Sequence, residues 1–193
     1  IAGGFEAVVV VTDVPEAFEW VPGIVVDADI VGRQFDYLGR LQGVVREYGL
    51  ERPVVMGSGS LPLMRADDFR RVADELVAGE RRCVTNNFYS ADLTGWAPAS
   101  AIDVVTDAPR DNMLPRRLRD QAGLAPVVMP RTTATQFDID TPVDLAILGL
   151  VEGVDPRLTA ACAGLEAVQE RLRALMLLFC DREAEGGSAG RVG

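Results

Sequence analysis

"RPVVMGSGSLPLMRADDFRRVADELVAG", residues 52–79, decides the fold class. Val54, Val55 and Met56 are a short apolar run with the length and β-branched character of a buried strand. Gly57, Ser58, Gly59 and Ser60 follow as a turn of small residues. Phe69, Val72, Leu76 and Val77 then recur at helical spacing, and Gly79 stands where a helix would stop. Strand, turn and helix in this order form half of a crossover unit. In an open α/β sheet the turn at a strand's carboxyl end faces the crevice that takes ligands. This turn carries no carboxylate, lysine or histidine, so whatever it holds must meet hydroxyls and backbone N–H groups.

The same alternation extends in both directions. Glu6–Thr12, "EAVVVVT", has the pattern of a strand buried on both faces. Gly23–Asp29 reads as a second strand. Gly32–Leu50 carries Phe35, Leu38, Leu41, Val44 and Val45 at helical spacing. Further strands are expected at Arg82–Thr85, Ile102–Thr106, Pro126–Met129 and Gln136–Ile139. Further helices are expected near Met113–Gln121 and Pro142–Leu150. The pattern predicts a three-layer α/β/α domain over residues 1–150, with a mainly parallel, Rossmann-like sheet and helices on both faces. Residues 151–193 read as a helical extension with a Gly-rich tail. Asp155-Pro156 is a strong helix start. Leu158, Ala161, Leu165, Val168, Leu172, Leu175 and Phe179 then predict one amphipathic helix of about 25 residues. Its stripe either packs on the parent domain or forms the seam of a homodimer.

Composition narrows the chemistry. All 19 basic residues are arginine, with no lysine and no histidine. Imidazole acid–base pairs, histidine metal ligands and Schiff-base lysines are therefore excluded. A net charge of −10 argues against general binding to nucleic acid, and no apolar run is long enough to span a bilayer. Cys83, Cys162 and Cys180 show no zinc-ligand spacing. With no basic and apolar leader at the start, the expectation is buried thiols in a reducing cytoplasm.

"FDIDTPVDLAIL", Phe137–Leu148, resembles the nucleotidyltransferase superfamily with the glycosyltransferase-A type fold. That group includes the molybdenum-cofactor guanylyltransferases. Its members close the domain with a D-x-D/N-T-P strand and an acidic helix start. Two weaker segments fall in the family's order. "GSGSLPLMRADDFRRVADEL" stands where the family has a strand, a D-x-P-L-L turn and a helix, and Ile1-Ala2-Gly3-Gly4 resembles the start of its Gly-rich nucleotide loop. "FEAVVVVT" begins at once after Gly4, although parallel neighbours need a crossover of about a dozen residues. Either the start is irregular or a loop and helix are absent between Gly4 and Phe5.

The resemblance implies a nucleoside triphosphate, Mg²⁺ and a small-molecule acceptor with a phosphate or hydroxyl group. Asp138 and Asp140 are the expected metal carboxylates and catalytic residues, with Asp92 a third catalytic candidate. Gly3, Gly4, Gly57, Ser58, Gly59, Ser60 and Arg33 are expected on the nucleotide side, and Arg65 is a second candidate for the missing loop lysine. Asn86, Asn87, Ser90, Asn112 and Arg116 are expected on the acceptor side, with Tyr89 and Trp96 interleaved. The sequence departs from the family at Ser60, where the family has a metal-binding aspartate. Two plainer readings stand beside these. Asp138–Asp144 also fits a capped helix start, and Asn86–Asp92 also fits an Asx-rich turn. A binding module with a degenerate metal site, or an assembly protein built around the long helix, remain as other classes.

Overall fold

A computed structural model describes residues 3–29, 32 and 34–186, with side chains to residue 179. The chain is mixed α/β and divides into two compact units, one ending at Phe137 and one starting at Asp138.

In the first unit, β1 (Val9–Thr12) and β2 (Val25–Ala28) pair in parallel, Val9 with Val25 through Thr12 with Ala28. Residues 13–24 cross between them and include the 3-10 turn Pro15–Phe18, which meets the minimum length for a parallel connection. The expected burial of this strand on both faces does not hold: Val9 and Val10 are half-buried, while Val8 and Val11 are exposed. A two-stranded ribbon shields less of its faces than a wider sheet does.

The larger sheet contains β3 (Val54–Met56), β4 (Arg82–Thr85), β5 (Leu93–Ala97) and β6 (Ala125–Val128), in the order β3-β5-β4-β6. β4 and β6 are parallel, whereas β5 runs antiparallel to both its neighbours. The sheet is therefore mixed. β5 replaces the strand expected at Ile102–Thr106. Those residues belong instead to the 3-10 turn Ala99–Val104 and its exit, with Ile102 and Val105 buried. Short apolar runs have no period that separates the two states. Every residue of "LTGWA" is buried. Gly95 lets the helix pack closely there: a Cβ on it would lie 3.0 Å from both Leu76 and Val54 side chains.

Helix α1 (Tyr37–Glu47) starts at Asp36, whose carboxylate accepts the Gly39 N–H at 3.2 Å. Phe35 thus precedes the helix and is exposed. Helix α2 (Ala66–Val77) ends one residue before Ala78 caps it. Helix α3 (Leu114–Ala122) ends at Gly123, which is left-handed at φ 66°. The sheet side chains alternate between two cores, as the pleat dictates. Cys83 and Trp96 pack with Leu38 and Leu41 of α1 and Leu114 and Leu118 of α3. Val84, Leu93 and Ala97 pack with Val72 and Leu76 of α2. The expected strand Gln136–Ile139 is reduced to a single bridge residue, Asp138, and Thr132 and Thr135 build a capping box that turns Thr133–Gln136 into the short helix α4.

In the second unit, α5 (Pro142–Leu148) begins at Thr141 and buries Ala146 and Leu148. The expected single helix is two: α6 (Pro156–Ala161) and α7 (Glu166–Gly186). Asp155 caps α6 as the sequence indicates. The break between them coincides with Gly164 at φ 87°, left-handed backbone that few other residues adopt. The Cys162 thiol fills the bend, donating to the Leu145 and Leu158 carbonyls at 3.2 Å each. Among the described residues no helix is long and apolar enough to cross a membrane.

Candidate functional site

β3 and β4 point the same way, since both oppose β5. Their carboxyl ends, with the start of β5 between them, bring two turns together. After β3 the chain closes a tight turn in which the Ser60 N–H donates to the Gly57 carbonyl at 3.2 Å. Gly57 also donates its N–H to the Asp92 carbonyl at 3.4 Å. A Cβ at Gly57 would stand 2.8 Å from Ser60 Oγ and 3.9 Å from Asp111 Oδ2. The hydroxyl and the carboxylate therefore flank the same bare Cα. The turn leaves through Leu61, a buried non-glycine residue at φ 54°. Such a conformation costs about 1–2 kcal/mol. It is held by the buried leucine side chain and by the Leu61 N–H donating to the Phe137 carbonyl at 3.1 Å.

After β4, Asn86 organises the second turn. It is 1% exposed. Its amide oxygen accepts the Asp92 and Leu93 N–H groups at 3.0 Å each. Its amide nitrogen donates to Asp92 Oδ2 at 2.8 Å and to the Thr135 carbonyl at 3.1 Å. All four hydrogen bonds available to an asparagine amide are thus used inside the protein. Asn86 aims the Asp92 carboxylate and has no valence left for a ligand. Asn87 behaves differently: its Oδ1 accepts the Tyr89 and Ser90 N–H groups at 3.1 and 3.4 Å, closing an Asx turn. The adjoining surface is aromatic. Phe88 and Tyr89 meet edge to face at 5.3 Å, Arg119 lies over Phe88 at 4.8 Å, and Tyr89 is 75% exposed.

A third segment, Asp111–Met113, meets this turn through the Ala91 N–H, which donates to the Asn112 carbonyl at 3.4 Å. Asp111 keeps one carboxylate oxygen on its neighbour's N–H, Asn112, at 2.8 Å. The Tyr37 hydroxyl is buried without a hydrogen-bond partner among the described residues, and so is Arg116 Nε. Burial first, and the Asp111 charge second, push the Tyr37 phenol above its ordinary range. It therefore stays neutral at ordinary pH and can donate a hydrogen bond.

The structure thus groups Gly57, Ser60, Asn86, Asp92 and Asn112 at one sheet edge, with Ser58, Gly59, Asn87 and Ser90 in the same two turns. Asp111 and Tyr37 were not anticipated. Asp111 sits beside Asn112, which the sequence singled out, whereas a tyrosine at a distant helix start carries no local signal. Gly3 and Gly4 lie along α2 instead: a Cβ on Gly3 would come within 2.8 Å of Phe69 Cβ. Arg33 lies outside the described residues. Arg65 opens α2, its N–H donating to Asp68 at 3.0 Å. Trp96 is a core residue.

Asp138 and Asp140 belong to the second unit. Asp138 Oδ1 accepts the Ile139 N–H at 3.0 Å. The Asp140 and Thr141 N–H groups and the Thr141 hydroxyl all donate to Asp144 Oδ2. The D-I-D-T-P-V-D stretch is accordingly a capping box around α5. The Thr141 hydroxyl, foremost, and these N–H groups hold the Asp144 carboxyl below its usual range.

Among the described residues no group of three or more carboxylate or thiol ligands could cage a metal ion by itself. Mg²⁺ rarely asks for that: it keeps waters and takes one or two carboxylates together with substrate phosphates. Asp111 offers one such carboxylate beside Gly57, while Asp92 meets Gly57 through its backbone carbonyl and keeps its carboxylate on Asn86. No protein-family model and no curated protein matches the chain.

Proposed function

We propose that the chain is a nucleotidyltransferase-like enzyme, with the three-layer architecture of the glycosyltransferase-A type. It transfers a nucleotidyl group from a nucleoside triphosphate to a phosphate or hydroxyl acceptor with Mg²⁺. The observation that supports this most is the Ser60 hydroxyl and the Asp111 carboxylate flanking Gly57, whose N–H meets the Asp92 carbonyl, at the carboxyl ends of two co-directional strands. A bare Cα lets a phosphate or ribose approach the backbone closely. Asp92 and Asp111 would hold the metal, which would supply positive charge against the triphosphate. Asn86 positions Asp92. Tyr89 offers an exposed ring for a base to stack on.

Calorimetric titration with nucleoside triphosphates, with and without Mg²⁺, and an assay for pyrophosphate release test this reading. Metal-dependent binding with release on adding acceptor supports it; no binding of any nucleoside triphosphate removes it. Asp138→Asn and Asp140→Asn, assayed beside Asp92→Asn, decide which carboxylates matter. A second reading is favoured by one observation, the neutral Ser60 where the resembled family has an acid. It is a nucleotide- or sugar-binding module without transfer, and metal-independent binding with no turnover would select it.

A further inference from the structure

We infer that the Tyr37 hydroxyl is a binding group of the site around Gly57 and donates its hydrogen to a phosphate oxygen of the nucleotide, an assignment that rests on the proposed nucleotide function. Tyr37 is the first residue of α1, and Asp36 before it caps the helix, so the backbone there is fixed. Its ring packs against the core that Leu38, Leu41, Leu114 and Leu118 build. A ring held by such packing has one direction in which to present its oxygen. That oxygen is buried, yet it has no hydrogen-bond partner among the described residues. The Asp111 charge acts on it, and Asp111 is the residue whose Oδ2 stands 3.9 Å from a Cβ placed on Gly57. Asp111 keeps Oδ1 on the Asn112 N–H at 2.8 Å and takes nothing from the phenol.

A buried hydroxyl without a partner has given up its water and gained nothing in return. A ligand oxygen that accepts from it recovers that loss. Phosphate is the group that needs such a donor here. The chain has no lysine and no histidine, and among the described residues no arginine pairs with Asp111. A phosphate seated on Gly57 therefore meets neutral O–H donors, Ser60 and Tyr37, in place of side-chain cations. A phenol suits this, because two torsions place its whole ring and little freedom is lost on binding. The Asp111 charge opposes a phosphate unless a metal ion offsets it, so Tyr37 counts for the metal-loaded ligand.

Calorimetric titration with Mg²⁺-pyrophosphate and with Mg²⁺-nucleoside triphosphates, on the full chain and on its Tyr37→Phe variant, tests this. The substitution removes one oxygen and keeps the ring in the core. Both affinities are expected to fall at least about tenfold, as for loss of a hydrogen bond to a charged group. The urea midpoint of the unliganded variant is expected to equal or exceed that of the parent, because the hydroxyl bonds nothing inside the protein. A lower midpoint shows an internal partner and overturns the proposal. Unchanged affinity for both ligands overturns it too, while leaving nucleotide binding itself intact. A loss seen with the triphosphate but not with pyrophosphate moves the hydroxyl to the sugar or the base and overturns the phosphate contact, as does a parent that binds the triphosphate but not pyrophosphate. A parent that binds no nucleoside triphosphate removes the nucleotide function, and the role of Tyr37 with it.

Discussion

Asn86 shows how one buried amide can fix a site without touching a ligand. Truncating it leaves the Asp92 and Leu93 N–H groups inside the protein with no acceptor. Asn86→Ala is therefore expected to lower stability by about 3 kcal/mol, read as a shift in the urea midpoint. Asp111 gives a second test. Its charge contributes to the raised pKa of Tyr37, but burial contributes more. In Asp111→Asn the Tyr37 phenol should titrate at lower pH than in the parent protein yet still above an ordinary tyrosine, as followed by phenolate absorbance. Gly3→Ala is a third. It forces a Cβ against Phe69 at a left-handed backbone position, φ 90°, so a loss of about 1–3 kcal/mol is expected. If packing on α2 is its whole role, nucleotide affinity measured by calorimetry is unchanged. Much of the first-unit site was legible at this scale, because small residues after a strand and clustered amides carry their own signal. Asp111 and Tyr37 were not, since they depend on which distant segments the fold brings side by side.

Among the elements, those with strong end signals were read well. Arg82–Thr85 is the expected strand, and Thr141 and Asp155 are the expected caps. Where the signal was periodicity alone, tertiary context decided the outcome. Ile102–Thr106 is as apolar as a strand, yet Ala97-Pro98 turns the chain out of the sheet just before it. "LTGWA" carries no strand expectation in the sequence, because its glycine and threonine mask a strand buried on both faces. The single stripe expected from Leu158 to Phe179 is real as a pattern, but the left-handed Gly164 divides it. The caps carry a pH consequence. The Arg157 guanidinium, foremost, and the Arg157 N–H hold the Asp155 carboxyl down to about 2, below its ordinary 3.8. A depressed carboxylate stabilises the fold above its unfolded value and loses that contribution as pH falls through the folded one. Helicity of the second unit should therefore decline as pH drops from about 4 towards 2. Asp155→Asn, which caps without titrating, should flatten that limb of the circular dichroism profile.

At the level of the whole molecule, the charge of −10 and a pI near 4.5 keep copies apart at neutral pH. The sheet order carries a different consequence. β3 is emitted first during synthesis but has no neighbour until β5 exists, because β5 lies between it and β4. β4 and β5 can zip together through the short stretch 86–92, and only that hairpin offers β3 an edge. A growing polypeptide halted before Leu93 leaves the ribosome with β3 unpaired, and one released after Ala97 can complete the centre of the sheet. Arrest peptides placed along this interval would report force from folding only once the hairpin has cleared the exit tunnel.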